Sequence, residues 1–128
     1  MINKVKNFLH EELTYKIRGC VFEVYKTLGN GHKEKVYHEA LKKEFTDKNI
    51  IFTHENRVNV VYKEKKVGVY APDFVVDGII VVEIKAKPFL HRDDIDQFWH
   101  YLNGTKYRLG LLVNFGAHPK VEIIRRVH

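Results

Sequence analysis

Leu13, Ile17, Val21, Val24 and Leu28 recur every three or four positions, the spacing that lines one face of an α-helix. This run predicts a helix over about residues 11–28, stopped by Gly29-Asn30-Gly31. Val36, Tyr37, Ala40, Leu41 and Phe45 predict a second helix over about 33–48. The pattern then changes. Residues 50–62 and 67–76 are rich in β-branched and aromatic side chains, and Lys63-Glu64-Lys65-Lys66 between them reads as a hairpin loop. Residues 79–86 form a third predicted strand, apolar on both faces as far as Glu83, as expected for a central strand covered on both sides. Lys87-Pro88 ends it. Ile95, Phe98, Trp99 and Leu102 give a third helix over about 92–102, closed by Asn103-Gly104. Residues 109–115 are an almost wholly apolar fourth strand, and 121–127, with Arg125 and Arg126, a last strand nearer an edge. The order is ααβββαββ. A meander followed by a helical crossover gives an α/β sandwich, with a central mixed sheet of four to five strands flanked by helices.

The length of 128 residues suits a single domain, 1–128, with one core, and 45% hydrophobic residues suffice to fill it. No repeat, low-complexity tract or linker interrupts the chain. No apolar run reaches a membrane-spanning length, and Met1-Ile2-Asn3-Lys4-Val5-Lys6 is unlike a signal peptide. A single cysteine, Cys20, excludes an internal disulfide and a cysteine-based zinc cluster, and is expected in the core. A cytoplasmic location without membrane contact is expected. The net charge of +6, from 22 Lys+Arg against 16 Asp+Glu, favours a polyanionic partner.

The candidate chemistry lies in Pro72-Asp73 and, ten residues on from Asp73, Glu83-Ile84-Lys85. Asp77-Gly78 between two apolar runs marks a β-hairpin. Glu83 and Lys85 are two apart and share a face, while Ile84 points to the core. A strict two-residue turn would pair Asp73 with Val82 and put Glu83 on the wrong face. A shared site therefore requires a three-residue loop, Asp77-Gly78-Ile79, or a bulge near Asp73. With either, Asp73, Glu83 and the Ile84 backbone carbonyl would hold Mg²⁺ or Mn²⁺. Lys85 would orient a water or offset charge on a phosphate.

Two further segments bear on this site. Glu34 opens the second helix, where it either caps the helix as its third residue behind Gly31 or reaches across to the metal. Gln97 and Tyr101 lie one turn apart on the third helix, placed to hold water or phosphate and to touch a base or backbone. Arg92-Asp93-Asp94 is expected to cap that helix, and Trp99 to stack on a base or, as a lone Trp in an amphipathic helix, to pack in the core. The eight histidines show no zinc-helix spacing. Lys63, Lys65, Lys66 and Arg57 are a candidate basic flank for a phosphate backbone, and otherwise a solvated hairpin tip.

These segments together resemble the PD-(D/E)XK nuclease superfamily, and within it the small GxxExxY proteins. Gly31-x-x-Glu34-x-x-Tyr37 matches the naming motif of the latter. Pro72-Asp73 and Glu83-Ile84-Lys85 match the superfamily signature, and Gln97-x-x-x-Tyr101 resembles a motif of its exonuclease-type branch. The stretch from Gly110 to Gly116 matches a typical late strand. The resemblance implies a restriction-endonuclease-like sandwich with its site at the open edge of the sheet. It implies Mg²⁺- or Mn²⁺-dependent phosphodiester hydrolysis carried by Asp73, Glu83 and Lys85, with Glu34 and Gln97 in support and Glu34 as a further metal ligand. Tyr37, Tyr101, Lys87, Arg57, Lys65 and Lys66 are then the expected nucleic-acid contacts, with DNA as partner. A homodimer or a larger nucleic-acid-processing complex is an expected assembly. The competing expectation is a catalytically silent binding or complex-forming module on the same fold.

Overall fold

A computed structural model describes residues 10–128, and two helices, each with one apolar face, come first among them. The segment from Met1 to Lys6 discussed above lies outside the described residues. Helix α1, Glu11–Leu28, carries Glu11 and Glu12 at its positive end and Lys26 in its last turn, complementing the helix dipole. Gly29, at φ 67°, stops it, and the Gly29 N–H returns to the Tyr25 carbonyl at 2.7 Å. Ile17, Cys20, Val21 and Val24 form its buried stripe, so Cys20 is a core residue as expected. Helix α2, Glu34–Asp47, buries Tyr37, His38, Leu41 and Phe45.

The strands differ from the predicted set. The first predicted strand divides into β1, Phe52–His54, and β2, Val58–Tyr62; the second divides into β3, Lys65–Tyr70, and β4, Phe74–Val76. A left-handed Glu55 (φ 54°) turns the chain between β1 and β2, and Pro72, which lacks an N–H for a ladder, lies between β3 and β4. Among the described residues the element order is therefore ααβββββαββ. The β2–β3 loop is shorter than predicted, because Lys65 and Lys66 already belong to β3. Tyr62 pairs with Lys65 across Lys63-Glu64, both left-handed, as two-residue hairpins require.

Strands β2 and β3 form a separate ribbon, and the other five form one sheet in the order β1-β4-β5-β6-β7. Here β5 is Ile80–Lys85, β6 Leu109–Asn114 and β7 Glu122–Val127. β5 and β6 are parallel, joined by helix α3, Arg92–Asn103, while the other neighbours are antiparallel. The mixed sheet and the edge position of β7 agree with the sequence pattern.

The sheet is covered on both faces. Phe74, Val82, Ile84, Leu111, Val113 and Phe115 belong to one core with α1 and α2. Val75, Val81 and Leu112 meet Phe98 and Leu102 of α3, and Tyr70 of the ribbon, in another. Each fully buried aliphatic or aromatic side chain contributes about 1.5–3 kcal/mol. Gly110 sets the approach of α3, since a Cβ there would stand 2.6 Å from Phe98. Among the described residues no helix is long and apolar enough to cross a membrane.

Candidate active site

The β4–β5 hairpin pairs Val76 with Ile80, Val75 with Val81 and Phe74 with Val82. Three residues, Asp77-Gly78-Ile79, thus make the loop, with Asp77 and Gly78 left-handed and the Ile79 N–H closing on the Val76 carbonyl at 2.9 Å. The three-residue loop is one of the two arrangements required above; the ladder it sets ends at Phe74 and Val82, and Asp73 and Glu83 are the next residue on each chain. β4 begins only at Phe74, whereas β5 runs on beside β6 to Lys85. Glu83-Ile84-Lys85 therefore projects past its antiparallel neighbour. The Ile84 N–H on that open side is taken by Asp73 Oδ2 at 2.8 Å. In extended backbone the carbonyl of a residue leaves on the same side as its N–H, so the Ile84 carbonyl faces this opening too.

Both acids have further partners. Asp73 Oδ1 lies 2.9 Å from His38 Nδ1, and Glu83 Oε1 accepts the Tyr70 hydroxyl at 2.8 Å. Lys85 Nζ stands 4.0 Å from Glu83 Oε2. The side chains of Asp73, Glu83 and Lys85 are each less than a quarter exposed, at 20%, 16% and 22%. Burial raises the Glu83 carboxyl above the usual carboxylate range; the Tyr70 hydroxyl and Lys85 oppose the shift, and the charges of Asp73 and Glu34 add to it. Tyr70, raised mainly by burial and then by Glu83, stays a protonated donor.

Glu34 is the first residue of α2, behind an Lys33 cap, rather than the third behind Gly31. No side chain caps this helix end. The Glu34 carboxyl is instead raised by partial burial and by Asp73, with Lys85, His38 and Lys87 opposing. Asp73 and Lys85 are thus among the charges that act on Glu34. Asp73, Glu83, Glu34 and the Ile84 carbonyl supply hard oxygen donors. The set fits Mg²⁺ or Mn²⁺.

Two residues missed in the sequence complete this arrangement. His38 lies one helical turn after Glu34 on α2, a spacing that would have put both on one face. Tyr70 ends β3 just before the break at Pro72 and gave no motif signal. Tyr101 stacks on it, with ring centroids 4.7 Å apart and planes within 8°, linking α3 to Glu83. Gln97, one turn earlier, is exposed and lines a groove of about 740 Å³ with Val60, Asp93, Asp96, His100 and Tyr101.

The other expected contacts sort differently. Tyr37, expected at nucleic acid, is fully buried: its hydroxyl donates to the Gly29 carbonyl at 2.6 Å and its ring stacks on Phe115. It fixes the loop before Glu34 from inside the core. Lys87 forms a two-pronged ion pair with Asp94, at 2.7 and 2.9 Å. Asp94 also accepts the His91 N–H at 3.0 Å, and so caps α3 as expected. Arg57, Lys65 and Lys66 are exposed on or beside the ribbon. Arg57 precedes Val58, which pairs with Tyr70, at the ribbon end nearest Glu83. Lys65 lies five residues before Tyr70 along β3, roughly 16 Å away, toward the other end of the ribbon.

A family model described as the PD-(D/E)XK nuclease superfamily matches residues 11–127. Comparisons with curated proteins and with solved structures returned no significant match. The mixed sheet between helices, with acids at its open edge, is restriction-endonuclease-like. With a match over nearly its whole length, the chain belongs to the PD-(D/E)XK nuclease superfamily.

Proposed function

We propose that this protein is a metal-dependent nuclease that hydrolyses phosphodiester bonds in DNA, with Mg²⁺ or Mn²⁺ held by Asp73, Glu83, Glu34 and the Ile84 carbonyl. Membership of the superfamily supports a nuclease-type function in general. The observation that supports the specific reading is the three-residue loop, whose ladder ends one residue short of Asp73 and Glu83, together with Asp73 bonded to the Ile84 N–H and Lys85 Nζ 4.0 Å from Glu83. When bound, the ion supplies polarisation of the phosphate and a water of lowered pKa.

The chain's own residues do the rest. Tyr70 and Lys85 hold the Glu83 carboxylate in place from two sides, and His38 and the Ile84 N–H do the same for Asp73. Lys85, a cation among acids, orients the attacking water or offsets charge gathering on the phosphate oxygens. Arg57 beside the ribbon and the net charge of +6 favour a phosphate backbone as the ligand.

The test is cleavage of labelled single-stranded, duplex and branched DNA and of RNA, with Mg²⁺ or Mn²⁺, and with Lys85→Ala purified alongside. Metal-dependent cleavage of DNA, lost in Lys85→Ala while binding persists, is the expected result. Binding that ignores metal, with no cleavage of any substrate, would replace this reading with a silent binding module. Cleavage of RNA alone would overturn the choice of DNA.

A further inference from the structure

We propose that His38, His54 and Glu55 form a second cation site, distinct in chemistry from the acidic one and suited to a Zn²⁺-like transition ion. One ligand atom from each of the three lies within 4.8 Å of the others. His38 Nε2 is 3.8 Å from Glu55 Oε1, and the His38 and His54 ring centroids are 5.9 Å apart.

The independent observation is the state of His38. Its ring is 5% exposed and stacks on Phe74 at 4.6 Å, yet its Nε2 is buried without a hydrogen-bond partner. A buried polar atom left unpaired is destabilising, so its persistence calls for a ligand. The other ring nitrogen explains which form is present. Nδ1 faces the Asp73 carboxylate at 2.9 Å, so in the neutral ring the proton sits on Nδ1 and the Nε2 lone pair points at Glu55 and His54. A carboxylate holding one nitrogen of an imidazole so that the other can bind metal is the usual support of a metal-ligating histidine.

The remaining ligands complete an accessible site. Glu55 is held beside Asp73 by its own N–H, which donates to the Asp73 carbonyl at 3.0 Å. His54 and Glu55 are exposed, so an ion can enter from solvent. Two imidazoles and one carboxylate favour Zn²⁺ and its neighbours, with a fourth position open to water, whereas the oxygen donors of the other site favour Mg²⁺. This inference does not depend on the nuclease reading.

The test is Zn²⁺ titration of the full chain against a chromophoric chelator, in excess Mg²⁺. Expected is one Zn²⁺ per chain, bound at least about tenfold more weakly by His54→Ala and by Glu55→Ala and equally well by Glu83→Gln. Both alanine variants alter exposed side chains, so they test the site without the folding risk of replacing buried His38. Affinity unmoved by both, loss of the ion in Glu83→Gln, or no binding by the wild type would each overturn the proposal.

Discussion

Asp73 Oδ2 accepts the Ile84 N–H at 2.8 Å, so the acid that faces the open edge of the sheet also satisfies the strand donor left bare there. One side chain thus joins fold and site. In Asp73→Ala, the Ile84 N–H and His38 Nδ1 both lose their partner, and stability should fall by about 1–3 kcal/mol. Asp73→Asn keeps an acceptor for Ile84 but turns its NH₂ toward His38 Nδ1, so it should recover only part of that loss. Both variants should lack metal-dependent cleavage. Denaturant unfolding beside a cleavage assay checks the separation; equal stability of Asp73→Ala and wild type would remove the structural half of the argument.

The Tyr70 hydroxyl orients Glu83, while the Tyr70 ring packs on Tyr101. Tyr70→Phe removes the first and keeps the second. Stability should change by only about 0.5–1.5 kcal/mol, whereas Mn²⁺ affinity or cleavage rate should drop by about 10–100-fold. Mn²⁺ titration and single-turnover cleavage read the two effects apart. A variant that loses stability and keeps its metal affinity would make Tyr70 a packing residue.

The parts of this design that were legible in the sequence are those governed by short-range pattern. Loop parity from Asp73 to Glu83 follows from counting residues around Asp77-Gly78, and the three helices follow from apolar spacing. The division of residues 50–62 and 67–76 was hidden, because β-branched runs look alike whether one strand or two passes through them. Only Glu55 in its left-handed turn and Pro72 mark the breaks, and Glu55 carries no such signal in its residue type. Tyr37 was misread because a motif tyrosine can serve a site from inside the core. His38 was missed because its meaning comes from Asp73, thirty-five residues away, which no local pattern connects to it.

Burial and neighbouring acids hold the Glu83 carboxyl above its ordinary value of 4.5. A carboxyl raised in the folded chain binds its proton more tightly there than when unfolded. The metal-free protein should therefore lose stability as pH rises through the raised folded value, and regain it in full only below about 4.5. Glu83→Gln removes that charge and should raise the Tm of the metal-free protein at neutral pH, by the equivalent of about 1 kcal/mol. The gain should shrink toward pH 4.5. Mg²⁺ should act in the opposite sense, stabilising the wild type at neutral pH by about 2.7 kcal/mol at a hundredfold excess over its Kd. This stabilisation should fade on acidification or chelation and be absent in Glu83→Gln. Thermal melts across pH, with and without Mg²⁺, check each sign; a Glu83→Gln variant less stable than wild type without metal would contradict the burden assigned to Glu83.

Asn114 closes the same end of β5 from the other side. It is fully buried and pairs in register with Lys85. Its Oδ1 accepts the N–H groups of Lys87 and Gly116 at 3.0 and 3.1 Å, and its Nδ2 donates to the Lys87 carbonyl and to Glu122, both at 3.0 Å. Every hydrogen-bonding position of the amide is filled. Asn114→Ala leaves buried backbone groups unpaired and should cost about 3 kcal/mol. Asn114→Asp keeps the shape but turns acceptor oxygens toward the Lys87 carbonyl and Glu122, so it should not rescue the fold. Gly116→Ala should fail for a related reason, since its Cβ would strike the Lys87 backbone. Because Lys85 lies two residues before Lys87, slack in this clamp should also lower the cleavage rate in the fraction that still folds. Loss of less than about 1 kcal/mol in Asn114→Ala, with full activity, would mean that the β5 terminus is fixed by its ladder with β6 and not by the amide.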